Sequence, residues 1–380
     1  MPTAHAIAQT AIESHLSEIA ARAEEIEQTR RLPPDLVADL NSAGAFRLLI
    51  PALYGGVEMP FEDYLGVIEQ LAQADASTAW CVNQAAVIGT TSLWLGEEKI
   101  REIWAAADTA VANGPPFQCE IDTAAQGYVL TGHWGFSSGC QHATWMMGAA
   151  KFSDGGYRIS YFRPEQVAFT DNWQVAGLKG TGSFEFKADH LGLPEDQVAD
   201  LAASPTVDAE VTRVPGSLLF AVSFAAVALG VAQGALTDVL AIAQGKMPRF
   251  SALALRDDPD VHRLIGQAQA RWRAARAYLR LTVGEVFGAV RQSPGPKDAI
   301  THDQRAHLRM AGTHVIRESA AVLDLAYKVA GSTGIYQDQT LQRRFQDMHV
   351  ITQHVQARES YYGLLGRYAI SGEYELTPMT

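Results

Sequence analysis

Apolar residues recur at helical spacing through the first hundred positions. Between residues 7 and 30, Ile12, Leu16, Ile19 and Ile26 form one stripe, with Glu and Arg on the opposite face, the mark of a helix that buries one side. Pro33-Pro34 opens the next helix, because a first turn has N–H groups with no helical partner and tolerates proline. Its Leu36, Val37 and Leu40 precede Gly44, which stops it. Leu48-Leu49-Ile50-Pro51 leads into a turn at Tyr54-Gly55-Gly56. Further helices are predicted over residues 61–74, 77–95 and, briefly, 97–107.

The pattern changes near Val111. From there to about Val198 the chain is rich in glycine, aromatic and β-branched residues punctuated by turns, as in Gly127-Tyr128-Val129-Leu130-Thr131-Gly132 and Asp154-Gly155-Gly156-Tyr157-Arg158-Ile159. Such runs predict short antiparallel strands. A linker with Pro205 and Pro215 follows, and long helices return over residues 217–367, including 260–292 and 303–329. The expected division is a helical domain (1–110), a β domain (111–205) and a helical bundle (206–380). Helices and strands that are segregated rather than alternating mean α+β. Gly180-Thr181-Gly182 lacks the third glycine and following helix of a dinucleotide fingerprint, so no NAD(P)H site is evident.

The composition narrows the picture. Of 380 residues, 47% are hydrophobic and 19% charged, ample for a buried core. The net charge of −12 repels phosphate backbones, which argues against nucleic acid. Cys81, Cys119 and Cys140 form an odd set without a CxxC, so neither a disulfide framework nor a metal site is expected. No basic, then apolar, leader stands at the N-terminus. The most apolar stretch, residues 218–232, is shorter than the roughly 20 residues of a membrane span. A cytoplasmic protein with no membrane attachment is expected.

The chain has no P-loop or HExxH. Two clusters stand out. Asp347 and His354 are seven apart, so on one continuous helix they would share a face two turns from each other, with His349 pointing elsewhere. That is either a polar stripe at an interface or a site. Gly132-His133-Trp134-Gly135-Phe136-Ser137-Ser138-Gly139-Cys140 alternates aromatic with small and hydroxyl residues, which suits either a plain strand end or a platform for a flat, hydrogen-bonding ligand.

Four stretches together resemble the acyl-CoA dehydrogenase superfamily over nearly the whole chain. They are residues 44–56, with Ile50-Pro51 and Tyr54-Gly55-Gly56; residues 132–145; Gly177-Leu178-Lys179-Gly180-Thr181-Gly182-Ser183; and Gly331-Ser332-Thr333-Gly334-Ile335-Tyr336 followed by Asp347. The resemblance implies an N-terminal helical domain, a middle antiparallel β domain and a C-terminal four-helix bundle, assembled as a homotetramer with flavin between subunits. It implies flavin contacts from Trp134, Phe136, Ser137 and Ser138, the last at flavin N5. Gly331, Ser332, Gly334 and Asp347 are implied by the glycine loop and its helix, and Lys246 or Arg249 at the flavin phosphate.

The departures shift the reading within that superfamily. Dehydrogenases of this type often place a catalytic Glu where Val355 stands, and valine cannot take a proton. Leu341-Gln342-Arg343, then Asp347, His349 and His354, resembles the oxygenase components of two-component flavin monooxygenases, as do Trp134-x-Phe136-x-Ser138-Gly139 and Asp75-Ala76-Ser77-Thr78-Ala79-Trp80. Gln346 replaces the arginine usual before that aspartate. The implied activity is hydroxylation of a small aromatic substrate, such as a phenol or indole, through a C4a-peroxyflavin formed from reduced FAD or FMN and O2. His354 would donate to the reactive oxygen or polarise the substrate, and a separate NAD(P)H-dependent reductase would supply the flavin. Phe117, Trp134, Phe136 and Trp145 suit an aromatic pocket, or equally a core. An acyl-CoA dehydrogenase or oxidase with its base elsewhere, and a non-catalytic scaffold, are the alternatives.

Overall fold

The computed structural model describes residues 3–295, 299–375 and 377. The N-terminal stripe is split at Arg22 into α1 (Ala4–Ala21) and α2 (Ala23–Thr29), where the Arg22 guanidinium ties Glu25 and Asp35 together. Then come α3 (Pro34–Ser42), α4 (Phe61–Ala74), α5 (Ala76–Gly89) and α6 (Glu97–Trp104). The predicted 77–95 helix thus ends early and passes into a 3-10 turn over Thr90–Trp94, where Thr90 and Ser92 hydroxyls donate back to the carbonyls of Val87 and Gly89 and compete with the helical ladder.

Eight strands follow: β1 (Val111–Gly114), β2 (Pro116–Thr123), β3 (Tyr128–Ser137), β4 (Trp145–Phe152), β5 (Tyr157–Phe162), β6 (Ala168–Thr170), β7 (Phe184–Leu193) and β8 (Val198–Ala199). The sheet order is β6-β7-β3-β2-β4-β5-β8, with β1 also paired to β4. Pairing is antiparallel except where β1 and β2 run parallel to β4. A separate core of Ile121, Leu130, Trp134, Met146, Phe162 and Phe186 fills the sheet's inner side.

The C-terminal part comprises α7 (Gly216–Gly245), α8 (Pro259–Gln292), α9 (His302–Ala330), α10 (Thr340–Ile351) and α11 (Ser360–Ser371). The apolar stretch around residues 218–232 lies inside α7, whose 30 residues are long enough to cross a bilayer. Length alone therefore does not separate α7 from a membrane span. Burial is the informative quantity: 89% of its most apolar window is covered by the protein itself. It packs against α4 closely enough that a Cβ on Gly230 would sit 2.1 Å from the Glu69 carbonyl. Glu69 of α4 in turn accepts from Arg276 Nε (2.7 Å) and Arg280 Nη2 (3.1 Å) of α8, joining the N-terminal helices to the bundle.

Candidate active site

β3 delivers the first residues. Its alternation turns Trp134 inward, fully buried and stacked on Phe186 at 4.9 Å, with Nε1 donating to the Ala149 carbonyl (2.9 Å). Trp134 is thus core rather than a ligand contact, a correction to the sequence expectation. Trp145 is core too, buried with the Arg163 guanidinium 3.8 Å from its ring centroid. The register shifts between Trp134 and Ser137, and Phe136 takes φ = 55°. That irregularity throws the Phe136 ring outward, 59% exposed, within 6.0 Å of Trp173 and 6.4 Å of Phe117. Phe136 and Phe117 therefore form an open aromatic surface. Ser137 points into the core, and its Oγ has no hydrogen-bond partner among the described residues. Its side chain is not on the ligand face, a second correction.

Ser138 follows the last residue of β3, at the foot of α5. Asp75 caps that helix, accepting from Thr78 N and Oγ1 (2.7 and 2.8 Å), and five residues on Trp80 Nε1 donates to Ser138 Oγ (3.1 Å). Trp80 packs on Phe224 of α7, centroids 4.0 Å apart, and Phe224 on Phe220 at 5.5 Å. His354 closes this wall, its ring edge-on to Trp80 (5.3 Å) and Phe224 (4.6 Å). The structure therefore brings together Ser138 and His354, which are far apart in sequence, through a tryptophan quoted above only as part of a motif.

His354 does not lie on α10. The helix ends at Ile351, and His354 caps the following 3-10 turn, Nδ1 accepting from Gln356 N (3.4 Å). Asp347 and His354 do not share a helix face, a third correction. The acceptor role of Nδ1 leaves the proton on Nε2. Burial, together with the positive charges of Arg309 and Arg358, lowers the imidazole pKa to about 4, so at neutral pH it is an uncharged N–H donor. Arg309 stands behind it, buried, donating to Gln356 Oε1 and to the Ser217 carbonyl (3.0 Å).

Asp347 serves a different purpose. It is buried, and its Oδ1 accepts from Leu178 N (2.6 Å), pinning the 177–183 loop to α10. Contact there is so close that a Cβ on Gly177 would sit 2.4 Å from the Gln346 carbonyl. Desolvation raises the Asp347 pKa to about 7. The aspartate implied at the cofactor by the resemblance thus holds the loop that carries Thr181 and Ser183. Arg344, not residue 346, supplies the helix's buried cation, paired with Asp238 (2.9 Å).

A second group forms elsewhere. Lys246 Nζ donates to the Ala330 carbonyl (2.5 Å) and lies 3.7 Å from where a Gly331 Cβ would be. Gly331 (φ = 54°) and Ser332 are exposed, whereas Gly334 is buried against Tyr327. Arg249 is on the exposed loop after α7. Around them Met247, Phe250, Leu253, Ile335 and Tyr336 are exposed.

These residues fit a flavin. An outward ring at Phe136 offers stacking, and Ser138 Oγ offers a lone pair at the mouth of the aromatic wall. Lys246 keeps two of its three protons for a phosphate.

Residues 1–107 match the model of the acyl-CoA dehydrogenase N-terminal domain, and residues 222–359 that of the acyl-CoA dehydrogenase C-terminal domain. An indole-3-acetate monooxygenase of Pseudomonas putida is 30% identical over 88% of this chain and 86% of its own. The oxygenase component of p-hydroxyphenylacetate 3-hydroxylase from Acinetobacter baumannii is 26% identical over 90% and 84%. Among solved structures, the 3-HSA hydroxylase of Rhodococcus sp. RHA1 superimposes with a TM-score of 0.90 at 23% identity, over 98% of this chain and 99% of its own. XiaF of Streptomyces, solved with FADH2 and glycerol, has a TM-score of 0.87 at 20% identity, covering 99% and 97%.

Proposed function

We propose, from the premise that this chain belongs to the acyl-CoA dehydrogenase family and within it to the flavin-dependent monooxygenases, that His354, Ser138 and the aromatic wall between them are its oxygenation site. The enzyme works as the oxygenase component of a two-component system, using reduced flavin and O2 on an aromatic substrate, with a separate reductase as partner. Bound reduced flavin supplies the electron pair that activates O2. The chain's own residues do the rest. Phe136 would stack on one end of the flat ring system, and Ser138 Oγ would hold flavin N5. Phe220, half-buried, lines the side offered to an aromatic substrate, with Phe224 and Trp80 packed behind it to exclude water. The His354 Nε2–H donates a hydrogen bond to the oxygen being transferred or to a substrate hydroxyl or ring N–H. No base for a substrate α-proton is needed, and the ring proton displaced by hydroxylation leaves to solvent, which agrees with Val355 occupying the position where related dehydrogenases carry that base.

The juxtaposition of Ser138 and His354 on Trp80 carries this reading. The finer parts of it are an indole or phenol substrate, an NAD(P)H-dependent reductase, a cytoplasmic location, and a homotetramer in which the Lys246–Gly331–Ser332 group faces the flavin of another copy. The exposed Met247, Phe250, Leu253, Ile335 and Tyr336 support that last point.

The test supplies the protein with chemically reduced FMN or FAD, O2 and a panel of indole-3-acetate, p-hydroxyphenylacetate and resorcinol. Hydroxylated product and hydrogen peroxide are then both quantified. Product above the protein-free blank is expected. Peroxide alone with every aromatic, combined with bleaching of bound oxidised flavin by an acyl-CoA, would overturn the reading.

A further inference from the structure

Behind Ser138 runs a chain of hydroxyl groups whose proton directions are determined by its two ends. Trp80 Nε1 is a donor only, so it gives its proton to Ser138 Oγ (3.1 Å). At the far end Thr181 Oγ1 donates to the Leu178 carbonyl (2.8 Å), which can only accept. Thr181 has one proton and has used it, so in its 2.7 Å pair with Ser183 it must accept. Ser183 has then used its own proton, and in its 2.7 Å pair with Ser138 it too must accept. The order is therefore Trp80 to Ser138 to Ser183 to Thr181 to Leu178 O, with Ser138, Ser183 and Thr181 all buried. Ser138 is left with no proton to offer outward and one unused lone pair.

That asymmetry distinguishes the two redox states of a flavin. Reduced flavin carries a hydrogen on N5 and donates; oxidised flavin has a bare N5 and accepts. We propose that Trp80, Ser183 and Thr181 act as positioning residues that fix Ser138 as an acceptor, so that the site selects flavin bearing a hydrogen on N5. The inference rests on the reading that N5 meets Ser138. To accommodate oxidised flavin the relay must reverse as a unit, turning the Thr181 proton toward Ser183 and losing the bond to Leu178 O. That carbonyl still receives Trp173 Nε1 and Thr181 N, both at 3.2 Å, so reversal costs one hydrogen bond, a preference of about three- to tenfold. For a component that takes reduced flavin from solution and returns it oxidised, such a bias favours loading and release in the productive order.

The experiment measures the dissociation constants of oxidised and anaerobically reduced flavin for the full-length protein and four variants. In Ser183→Ala the Ser138 proton loses its inward acceptor, and in Thr181→Val the Ser183 proton loses its own. Both variants are expected to lower the reduced-over-oxidised preference by about three- to tenfold, while Thr181→Ser retains it. If Ser183→Ala and Thr181→Val weaken both redox states equally and leave the ratio as it was, the hydroxyls are merely structural and the relay is refuted. Should Ser138→Ala change neither affinity, the placement of N5 itself falls and takes the relay with it. A Ser138→Ala effect with an unaltered ratio in the other variants refutes the relay alone.

Discussion

Asp347 and His354 show how burial, reinforced by neighbouring charges, gives two side chains opposite pH behaviour. The folded Asp347 carboxyl titrates at about 7, against 3.8 for the free side chain, because desolvation and the nearby Asp75 charge outweigh the Leu178 N–H. The native state binds that proton more tightly. Its stabilising contribution is therefore complete below about pH 3.8 and lost as pH rises through about 7. Asp347→Asn keeps an acceptor for Leu178 N while removing the titration. It should flatten the slope of stability between those limits, whereas Asp347→Ala should cost about 1–3 kcal/mol at pH 5 and less at pH 8, where the buried carboxylate is itself disfavoured. Denaturant unfolding at pH 5 and pH 8 checks this, and an Asn variant as unstable as the Ala variant at pH 5 would contradict it. His354 has the reverse sign. Its pKa falls from 6.5 to about 4, so the unfolded chain takes up the proton first and stability is lost as pH falls between those values. Activity should show no His354 inflexion between pH 6 and 9. His354→Ala should shift product toward hydrogen peroxide by about a hundredfold, with flavin affinity little changed. Both residues were legible in the sequence as candidates, but their roles depended on neighbours that spacing could not reveal: the Leu178 amide for one, the Gln356 amide and two arginines for the other.

At the scale of elements, the informative places are where regular structure stops. The periodicity that predicts helices over 61–74, 260–292 and 303–329 agrees closely with α4, α8 and α9, because each buries one continuous stripe. The same reasoning carried α10 past its end, since nothing in the pattern between Asp347 and His354 marks the break at Ile351. β3 fails in the same way: simple alternation assigns Trp134 and Phe136 to one face, and the shift before Ser137 sends them to opposite sides. The 177–183 loop depends on contact with α10 rather than on its own propensity. Gly177→Ala should therefore cost about 1–3 kcal/mol by forcing the loop from the Gln346 carbonyl, and should weaken flavin binding because Thr181 and Ser183 move with it. Thermal unfolding and flavin titration test the two consequences separately. Unchanged flavin affinity in a destabilised variant would show that the loop does not transmit to Ser138.

Across the whole molecule, the N-terminal helices are tied to the bundle by Glu69, nearly buried between Arg276 and Arg280. Arg276 is partly exposed, so screening limits the pair, and Glu69→Gln should cost about 1–2 kcal/mol, read as a shift in denaturation midpoint without a change in slope. The apolar surface of α11, which buries none of its twelve residues, and the fully exposed Phe250 fit an assembly larger than one chain. Phe250→Asp should lower both the sedimentation mass and flavin affinity together. A monomeric parent protein would remove that expectation. The sequence by itself determined the α+β order, the sites of most helices and the family likeness, because these follow from local periodicity and from short motifs that survive without knowledge of packing. Only the tertiary structure decided which aromatic rings are core and which are open, why Asp347 is buried, and that Trp80 connects Ser138 to His354. Those properties belong to contacts between segments distant along the chain, and a pattern read along one dimension carries no record of which donor meets which acceptor.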